Sequence, residues 1–383
     1  MEEEKELAVE ETVEEDYIKP GRFDRFTETR VGRIVRRHWL TIAFLLGFIT
    51  DFLLLNRVDD VLDNIILFFY VLLAFTSLAL LYLGVADRAG ERLSYVFRTY
   101  APLLIQYSFG GLLSGMFIFY GRSADWLVSW PILLLFVLVM ILNEMVRKRA
   151  TRLLYYLSTL YIGLFAYLVL VVPVFIGKMG SVVFVSSGVL SLIIIALYIK
   201  LLGKIIPRFI KLQFRLLLFS ILSIFFAYNI LYFTNIIPPI PLSLIDVGIY
   251  HSVVRFDSGE YQLQYEPSPW WQFYREEGSV FHPRPNGSVY CFSSVFAPTS
   301  IQTDIQHSWE YKNADGVWQE QARISYSIHA VGSRGFRAYT LISRYHDGRW
   351  RCSVETTRGQ VLGREYFTID SSEPPSSITT KVE

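Results

Sequence analysis

The sequence lacks the short motifs by which many enzyme families can be recognised. It contains no His-Glu-x-x-His pair, no Gly-x-Ser-x-Gly turn and no phosphate-binding glycine-rich loop ending in Lys-Ser or Lys-Thr. The six histidines are scattered, so their spacing does not require a metal site. We therefore predict that the protein is not an enzyme and that it has no catalytic residue, no metal and no cofactor.

Cysteine is also scarce. Only Cys291 and Cys352 are present, and both lie in the C-terminal part of the chain. They are either two buried thiols or a disulfide, and a disulfide requires an oxidising compartment. A cleavable signal peptide is not expected, because the first apolar run begins only near Trp39.

Apolar sequence is abundant instead. Hydrophobic residues make up 52% of the chain, which includes 29 Phe. Because about 20 helical residues cross the hydrocarbon core of a bilayer, we predict a helical membrane domain over residues 39–236 with about seven spans. The predicted spans lie near residues 39–55, 62–84, 101–120, 127–146, 154–176, 181–202 and 215–236.

Charge is distributed unevenly, although the formal net charge is only +1. Residues 1–38 comprise an acidic tail, predicted to be disordered, and a basic juxtamembrane segment. Seven spans would place nineteen Lys and Arg residues on the N-terminal side and three on the other side. The positive-inside rule then predicts a cytoplasmic N-terminus and a periplasmic or extracellular C-terminal domain. We expect a multi-pass protein of the inner membrane, and this orientation favours the disulfide.

One connection between predicted spans is strongly basic. Lys204, Arg208, Lys211 and Arg215 recur there at helical spacing, with apolar residues between them. Such a stripe either binds anionic lipid headgroups or only follows the positive-inside rule.

Few polar residues interrupt the predicted spans. They are Asp51, Gln106, Asn143, Glu144 and Asn229. Residues of this kind anchor helices at the interface, form hydrogen bonds between helices, or mark a path for ions or protons. Gly111 and Gly115 form a small-xxx-small pattern, which predicts that two helices approach each other closely.

A proline-rich stem over residues 237–245 separates this domain from the rest. Proline cannot continue a helix, and we predict that the stem is a short extended strut. From residue 246 to 370 the pattern alternates with period two between turn signals, and Asp347-Gly348 predicts a hairpin. We predict an all-β, antiparallel, sandwich-like domain outside the membrane, followed by a disordered tail over residues 371–383.

Several short motifs in this domain resemble a known bacterial family. They are His307-Ser308-Trp309, Gly335-Phe336-Arg337, Gly348-Arg349-Trp350 and Gly359-Gln360-Val361-Leu362-Gly363 with Phe367. Together, over roughly residues 290–370, they resemble the "domain of unknown function 2914". The resemblance implies a membrane-tethered, externally facing β domain in a bacterium, and it brings no established activity.

The aromatic and basic residues of this domain allow two interpretations. Trp309 and Trp350 either fill a sandwich core or form an aromatic platform for a sugar ring or peptide. In the second case Arg337, Arg349 and Arg364 would supply the polar contacts of a ligand surface.

We predict a non-enzymatic, membrane-anchored binding or scaffold protein of the bacterial envelope. Its partners would be the lipid bilayer and an envelope glycan, a peptidoglycan fragment or a partner protein, and it could form homo-oligomers. We expect no nucleic-acid partner. The alternative is a transporter or intramembrane enzyme that the β domain regulates.

Overall fold

The computed structural model describes residues 42, 45–51, 53–55, 60–145, 152–269, 277–285, 287–298, 303–328, 335–375 and 377–383. The acidic tail and basic segment predicted over residues 1–38 lie outside these residues. The chain divides into two compact units. The helical unit comprises Met1–Phe119, Ile132–Val172 and Gly180–Leu231, and the β unit comprises Tyr120–Pro131, Pro173–Met179 and Tyr232–Glu383.

Six helices follow one another from residue 61 to residue 233 of the described chain. They are α1 (Val61–Val85), α2 (Glu91–Arg122), α3 (Trp126–Met145), α4 (Arg152–Ile176), α5 (Ser181–Ile205) and α6 (Pro207–Phe233). Residues 45–51 and 53–54 are helical as well, with residue 52 outside the described set. The side chain of Asp60 caps α1 by accepting a hydrogen bond of 3.0 Å from the Leu62 N–H.

Five of these helices are long and apolar enough to cross a membrane, namely α1, α2, α4, α5 and α6. The predicted number of about seven is therefore corrected to five for the described residues. In α3 the apolar stretch Trp126–Leu142 is shorter than the others, and the predicted span over 39–55 is only partly described. Composition alone could not separate these two segments from full-length spans.

Small residues permit close packing inside the helical unit, as the small-xxx-small pattern predicted. A Cβ atom added at Gly111 would lie 2.4 Å from the ring of Tyr70. One added at Gly47 would lie 2.5 Å from the Tyr107 carbonyl oxygen. Glycine is required at both positions because any side chain would push the neighbouring helix away.

Eleven strands in the described residues build the β domain. They are β1 (Ser243–Tyr250), β2 (Ser252–Arg255), β3 (Tyr261–Tyr265), β4 (Val280–Phe281), β5 (Val289–Phe296), β6 (Thr303–Lys312), β7 (Trp318–Ile328), β8 (Phe336–Ile342), β9 (Gly348–Thr356), β10 (Val361–Ile369) and β11 (Thr379–Val382). They form three sheets in the orders β1-β5-β8, β4-β10-β9-β6-β7 and β11-β3-β2. The pairs are antiparallel as predicted, except that β4 and β10 run parallel.

The main core lies between the first two sheets. Val289 and Ile342 of the three-stranded sheet pack in one buried cluster with Trp309, Trp350 and Phe367 of the five-stranded sheet. This two-layer arrangement is what the alternating sequence pattern predicted.

The β11-β3-β2 sheet adds a third layer. Its residues Val253, Tyr261 and Leu263 pack against Tyr250 and Phe292, which lie on the opposite face of the first sheet from the main core. The first sheet is therefore covered on both faces over part of its area.

The predicted disordered tail contains an ordered strand. β11 pairs antiparallel with β3 from Thr379 to Val382, so the prediction is wrong for these residues. Lys381 explains the difference, because its ammonium nitrogen lies 2.9 Å from Glu277 Oε1 and 3.6 Å from Asp246 Oδ2. Burial alone would lower the pKa of Lys381, but these carboxylates outweigh it and raise the pKa.

The Asp347-Gly348 dipeptide does not form the predicted hairpin. β8 and β9 lie in different sheets, so this dipeptide does not close a hairpin. The Asp347 carboxylate instead accepts hydrogen bonds from the backbone and hydroxyl of Ser371, at 3.2 and 2.6 Å. It thus holds the end of β10 rather than forming a tight turn.

The stem is turned rather than extended. Residues 237–242 are all buried. Ile240 N–H donates to the Pro238 carbonyl at 2.8 Å, and Leu242 N–H donates to the Pro239 carbonyl at 2.9 Å. The predicted extended strut is therefore wrong, because the φ value that proline fixes also suits tight turns.

Candidate functional site

The two tryptophans of the predicted ligand surface lie in the interior. Trp309 is 0% exposed and Trp350 is 1% exposed. The indole N–H of Trp309 donates to the Thr340 hydroxyl at 3.0 Å, and that of Trp350 donates to the His346 carbonyl at 2.9 Å. The core-packing interpretation is therefore correct for both residues, and neither can offer its ring to a ligand.

The predicted arginines do not come together either. Arg349 is exposed at the start of β9. Arg364 on β10 is partly buried, 3.4 Å from Asp125 Oδ2 and 3.3 Å from the Ser353 hydroxyl. Among the predicted arginines, Arg337 lies over an aromatic ring, that of Tyr261.

Arg337 belongs to a group of aromatic and basic residues at the place where the β11-β3-β2 sheet covers the outer face of the first sheet, and one of them, Tyr261, is buried. We call Arg255, Tyr261, Tyr290, Arg337 and Tyr339 the Tyr–Arg surface. The ring of Tyr339 lies 6.4 Å from that of Tyr261 and 5.9 Å from that of Tyr290. The guanidinium carbons of Arg255 and Arg337 lie 5.8 and 5.4 Å from the centre of the Tyr261 ring.

Strand alternation brings Tyr290, Arg337 and Tyr339 to one face of the first sheet. On β8, Thr340 and Ile342 point into the core, so Arg337, Tyr339 and Leu341 point outward. β5 pairs with β8 so that Tyr290 is opposite Leu341. In the sequence, apolar Phe336 and Ala338 alternate with Arg337 and Tyr339, and this signal could have identified part of the surface.

Hydrogen bonds fix Arg337 in place. Its guanidinium donates to the Gly259 carbonyl at 3.2 Å, and its own carbonyl accepts a 3.2 Å hydrogen bond from the Tyr261 hydroxyl. Gly259 has φ +84° in the turn between β2 and β3, a conformation that favours glycine. The β2–β3 turn therefore sets the position of the guanidinium.

The Tyr–Arg surface offers both apolar and cationic contacts to a ligand. Tyr339 is 39% exposed, and the neighbouring Leu341 is 40% exposed. A tyrosine ring combines a flat apolar face with a polar hydroxyl, and arginine can bind a carboxylate or phosphate with two hydrogen bonds. A sugar ring bearing an acidic group has the matching features.

A second polar group surrounds a buried carboxylate. Glu266 lies between His251 Nε2, at 2.8 Å, and His282 Nδ1, at 2.6 Å. Burial alone would raise the pKa of Glu266, but the hydrogen bonds from both histidines outweigh it and lower the pKa. The carboxylate is thus held in its ionised form. It links Glu266, which directly follows β3, to His282, which directly follows β4.

His307 is the centre of a third polar group, inside the main core. Its Nε2 lies 2.8 Å from the Ser293 hydroxyl and 3.0 Å from the Tyr326 hydroxyl, and its Nδ1 lies 3.0 Å from the Thr340 hydroxyl. Burial lowers the pKa of His307 to about 3. The ring is therefore neutral and bonded at both nitrogens, which suits a structural role.

The structure pairs the two cysteines beside His307. Cys291 of β5 and Cys352 of β9 are bonded with their Cα atoms 6.6 Å apart, which joins the two main sheets. The two sulfurs and an imidazole nitrogen lie within 4.8 Å of one another. Thiolates rather than disulfides are good metal ligands, so this group would suit a metal only in the reduced protein.

The turn between β9 and β10 is attached to the end of α6 within the β unit. Arg358 lies over the Tyr232 ring, with its guanidinium carbon 4.2 Å from the ring centre. The Asn235 side chain donates to the Arg358 carbonyl at 3.0 Å, and the Gln360 side chain donates to the Ile237 carbonyl at 3.1 Å. These contacts hold the β domain to the chain segment by which it leaves the helix.

The structure describes the side chains of three of the five polar residues in the predicted spans. Asp51 is 0% exposed and accepts a hydrogen bond from Ser114 of α2. Gln106 is also buried, at 6% exposure, and Asn229 donates to the Phe225 carbonyl in its own helix at 2.8 Å. Asn143 and Glu144 lie in α3, and their side chains are outside the described residues. Asp51 thus fits a hydrogen bond between helices.

Comparisons with known proteins identify a matching family only for part of the C-terminal domain. No curated protein matches the chain. An immunoglobulin-like protein from Pseudomonas aeruginosa is similar at 12% identity and TM-score 0.21, over 34% of this chain and 96% of that chain. An alkylpurine DNA glycosylase, AlkC, from Pseudomonas fluorescens, solved with DNA containing an abasic site analog, is similar at 10% identity and TM-score 0.18, over 82% of this chain and 99% of that chain.

Both TM-scores are too low to support an argument about this chain. The family comparison is more informative because it matches the segment that carries the sequence motifs. Residues 302–369, from β6 to β10, match the family described as "Protein of unknown function (DUF2914)", which confirms the resemblance seen in the sequence.

Proposed function

We propose that the protein is a membrane-anchored binding protein of the bacterial cell envelope and that its Tyr–Arg surface recognises an acidic glycan. The observation that carries this proposal is the group of neighbouring tyrosine rings with two arginines beside Tyr261. Peptidoglycan fragments belong to this ligand class, because they combine sugar rings with carboxylates. The protein acts by binding rather than by catalysis.

The proposed location is the inner membrane, with the β domain in the periplasm. The β unit includes the C-terminal ends of α2, α4 and α6. The N-terminal ends of these helices lie at the basic segments 88–98, 147–152 and 200–215. Basic segments favour the cytoplasmic side, so this arrangement supports an external β domain. The Cys291–Cys352 bond also suits an oxidising compartment.

The chemistry of the surface supports a ligand that is both flat and acidic. Tyrosine and arginine are enriched among residues that contribute most to binding. Near Arg255 and Arg337, the acidic residues Asp257 and Glu260 lie in the exposed β2–β3 turn, and Glu260 accepts a hydrogen bond from Ser258. Neither arginine has an ion pair with another described residue. Both guanidinium groups therefore keep charge available for a carboxylate.

Binding of a charged glycan tests the proposal directly. Full-length protein in detergent would be titrated with an uronic-acid polysaccharide and with a neutral polysaccharide of similar length. We expect binding of the acidic polymer and a loss of about tenfold in affinity for Arg255→Gln and Arg337→Gln combined. Arg323→Gln on β7 is the matched control and should bind as the unchanged protein does. Equal binding of both polymers, or an unaffected double variant, contradicts the proposal.

Location is tested separately. A reporter enzyme that is active only outside the cytoplasm would be fused after Glu383. We expect activity, because the preceding strand lies in the domain assigned to the periplasm. A second reporter enzyme, which is active only in the cytoplasm, would be fused at the same position. Activity of this second reporter would contradict the assigned orientation and would leave the glycan proposal untouched.

Transport remains a second candidate function, favoured by one observation. Asp51 is fully buried among helices that are apolar enough to cross a membrane, and a buried intramembrane carboxylate often marks a path for ions or protons. Loss of a measured proton or solute flux in Asp51→Asn, with normal protein abundance, would support this candidate. Unchanged flux would leave the carboxylate with its hydrogen bond to Ser114 as its role.

A further inference from the structure

One end of the helical unit carries a row of exposed cations. Five such residues lie at the end of α5 and in the first turns of α6: Lys200, Lys204, Arg208, Lys211 and Arg215. No acidic residue occurs between positions 200 and 215. Within the described part of the chain, the side chains of these five residues form no ion pair. Their charge is therefore not neutralised by this part of the protein.

A neighbouring connection adds a sixth cation to the same place. The Arg88 guanidinium donates a 2.6 Å hydrogen bond to the Lys204 carbonyl, which brings the α1–α2 connection to the end of α5. Asp87 in that connection lies 3.3 Å from Arg98. Glu91, at the start of α2, is exposed and is the other acidic residue there. Positive charge thus exceeds negative charge at this end.

Exposed apolar side chains adjoin the cations. Arg208, Leu212, Arg215 and Phe219 are spaced by four, three and four residues, so they lie along one side of α6. Leu212 and Phe219 are each 73% exposed. At the end of α5, Leu201 is 50% exposed beside Lys204. The surface changes from cationic to apolar within about three turns of helix.

We infer that this surface binds the headgroup of an anionic phospholipid. The phosphate would lie against Lys204, Arg208 and Lys211, and the acyl chains would lie along Leu212 and Phe219. A free phosphate ion would use only the cations, whereas a phospholipid also covers the apolar side chains that adjoin them. Juxtamembrane basic clusters attract anionic lipids in this way. This assignment does not depend on the glycan proposal, because the two surfaces lie in different units.

Lipid binding can be counted on the intact protein. Full-length protein in detergent would be titrated with phosphatidylglycerol and, separately, with phosphatidylcholine, and bound lipids would be counted by native mass spectrometry. We expect preferential retention of phosphatidylglycerol. Each cation near the headgroup contributes about fivefold in affinity, so Lys204→Gln, Arg208→Gln and Lys211→Gln combined should weaken binding about a hundredfold. The triple variant Lys204→Arg, Arg208→Lys, Lys211→Arg keeps the charge and should retain the lipid.

A control triple variant tests whether total charge matters. Lys312→Gln, Arg323→Gln and Arg349→Gln remove the same number of charges from the β domain and should leave lipid binding unchanged. Affinity of the unchanged protein should fall as salt is added, which gives a readout that does not depend on variants. Equal retention of both lipids, or displacement of phosphatidylglycerol by an equal concentration of inorganic phosphate, would overturn the inference.

Discussion

The β domain has aromatic residues in two regions with opposite surroundings. In the interior, Trp309 and Trp350 are almost completely buried between the sheets. On the outer face, Tyr339 is 39% exposed and Tyr290 is partly exposed. The two tryptophan rings fill space in the core, whereas the rings of Tyr290 and Tyr339 are at least partly exposed. Changes in the interior should therefore alter stability, and changes on the outer face should alter binding.

Polar groups follow the same division. His307 in the interior is neutral, because burial lowers its pKa to about 3. Arg337 on the outer face is partly exposed and carries a guanidinium group. Burying an unpaired charge costs far more free energy than burying a hydrogen-bonded neutral group. The difference favours a ligand surface outside the sheets, as proposed, over one beside the tryptophans.

Trp309→Ala should have the largest effect on stability. The side chain fills the core and donates to Thr340, so its removal leaves a cavity and should cost about 3 to 5 kcal/mol. Hydrogen exchange of the β6 and β9 amides in full-length protein measures this loss. Trp318→Ala on β7, where the ring is only partly buried, should cost clearly less. Equal losses for both variants would contradict the division between interior and surface.

Removing the disulfide should have the next largest effect. The bond closes a loop with a sequence separation of 61 residues, which corresponds to about 4 kcal/mol in the chain-entropy model and commonly less in practice. Cys291→Ala with Cys352→Ala should therefore accelerate hydrogen exchange in both main sheets. The single variant Cys291→Ala should leave one thiol that can be alkylated after unfolding. Two alkylated thiols in unreduced, unchanged protein would show that the bond does not form in the cell.

The sequence predicted the strands and the core of the β domain better than it predicted how the strands connect and pair. Apolar and polar residues alternate in the strands, so the two-layer core could be inferred without a structure. Asp347-Gly348 was assigned to a hairpin because local turn preference does not reveal which sheet the next strand joins. β11 was missed because its pairing with β3 and the ion pairs of Lys381 involve distant residues.

The candidate site was predicted only through Arg337. Trp309 and Trp350 allow two interpretations because tryptophan occurs both in cores and in binding surfaces, and sequence alone does not distinguish these roles. Tyr261 could not be linked to Arg337, because β3 meets β8 only through the stacking of two sheets. Tyr290 could not be linked either, because the pairing of β5 with β8 joins strands that are distant in sequence.

Acid should destabilise the interior through His307. Its folded pKa of about 3 lies below the ordinary value of 6.5, so the unfolded chain takes up a proton first as the pH falls. The contribution of His307 to the free energy of unfolding is present above about pH 6.5. It declines below that pH, by about 2 kcal/mol between pH 7 and pH 5. Hydrogen exchange, corrected for its intrinsic pH dependence, measures the slope. His307→Gln should flatten it, whereas His346→Gln, at an exposed position, should leave it unchanged.

Tyr339→Ala should have the smallest effect on stability and a clear effect on binding. The side chain is 39% exposed, and its ring meets that of Tyr261 edge-on and that of Tyr290 at a tilt. Its loss should therefore cost about 1 kcal/mol or less. Affinity for the acidic polysaccharide should fall about tenfold, because the ring is central to the Tyr–Arg surface. Ile324→Ala is a matched control, since Ile324 is 37% exposed on β7. It should lose a similar small amount of stability and no affinity. If Tyr339→Ala and Ile324→Ala bind the acidic polysaccharide equally well, the outer tyrosines are not a ligand surface. The two aromatic regions would then differ only in burial.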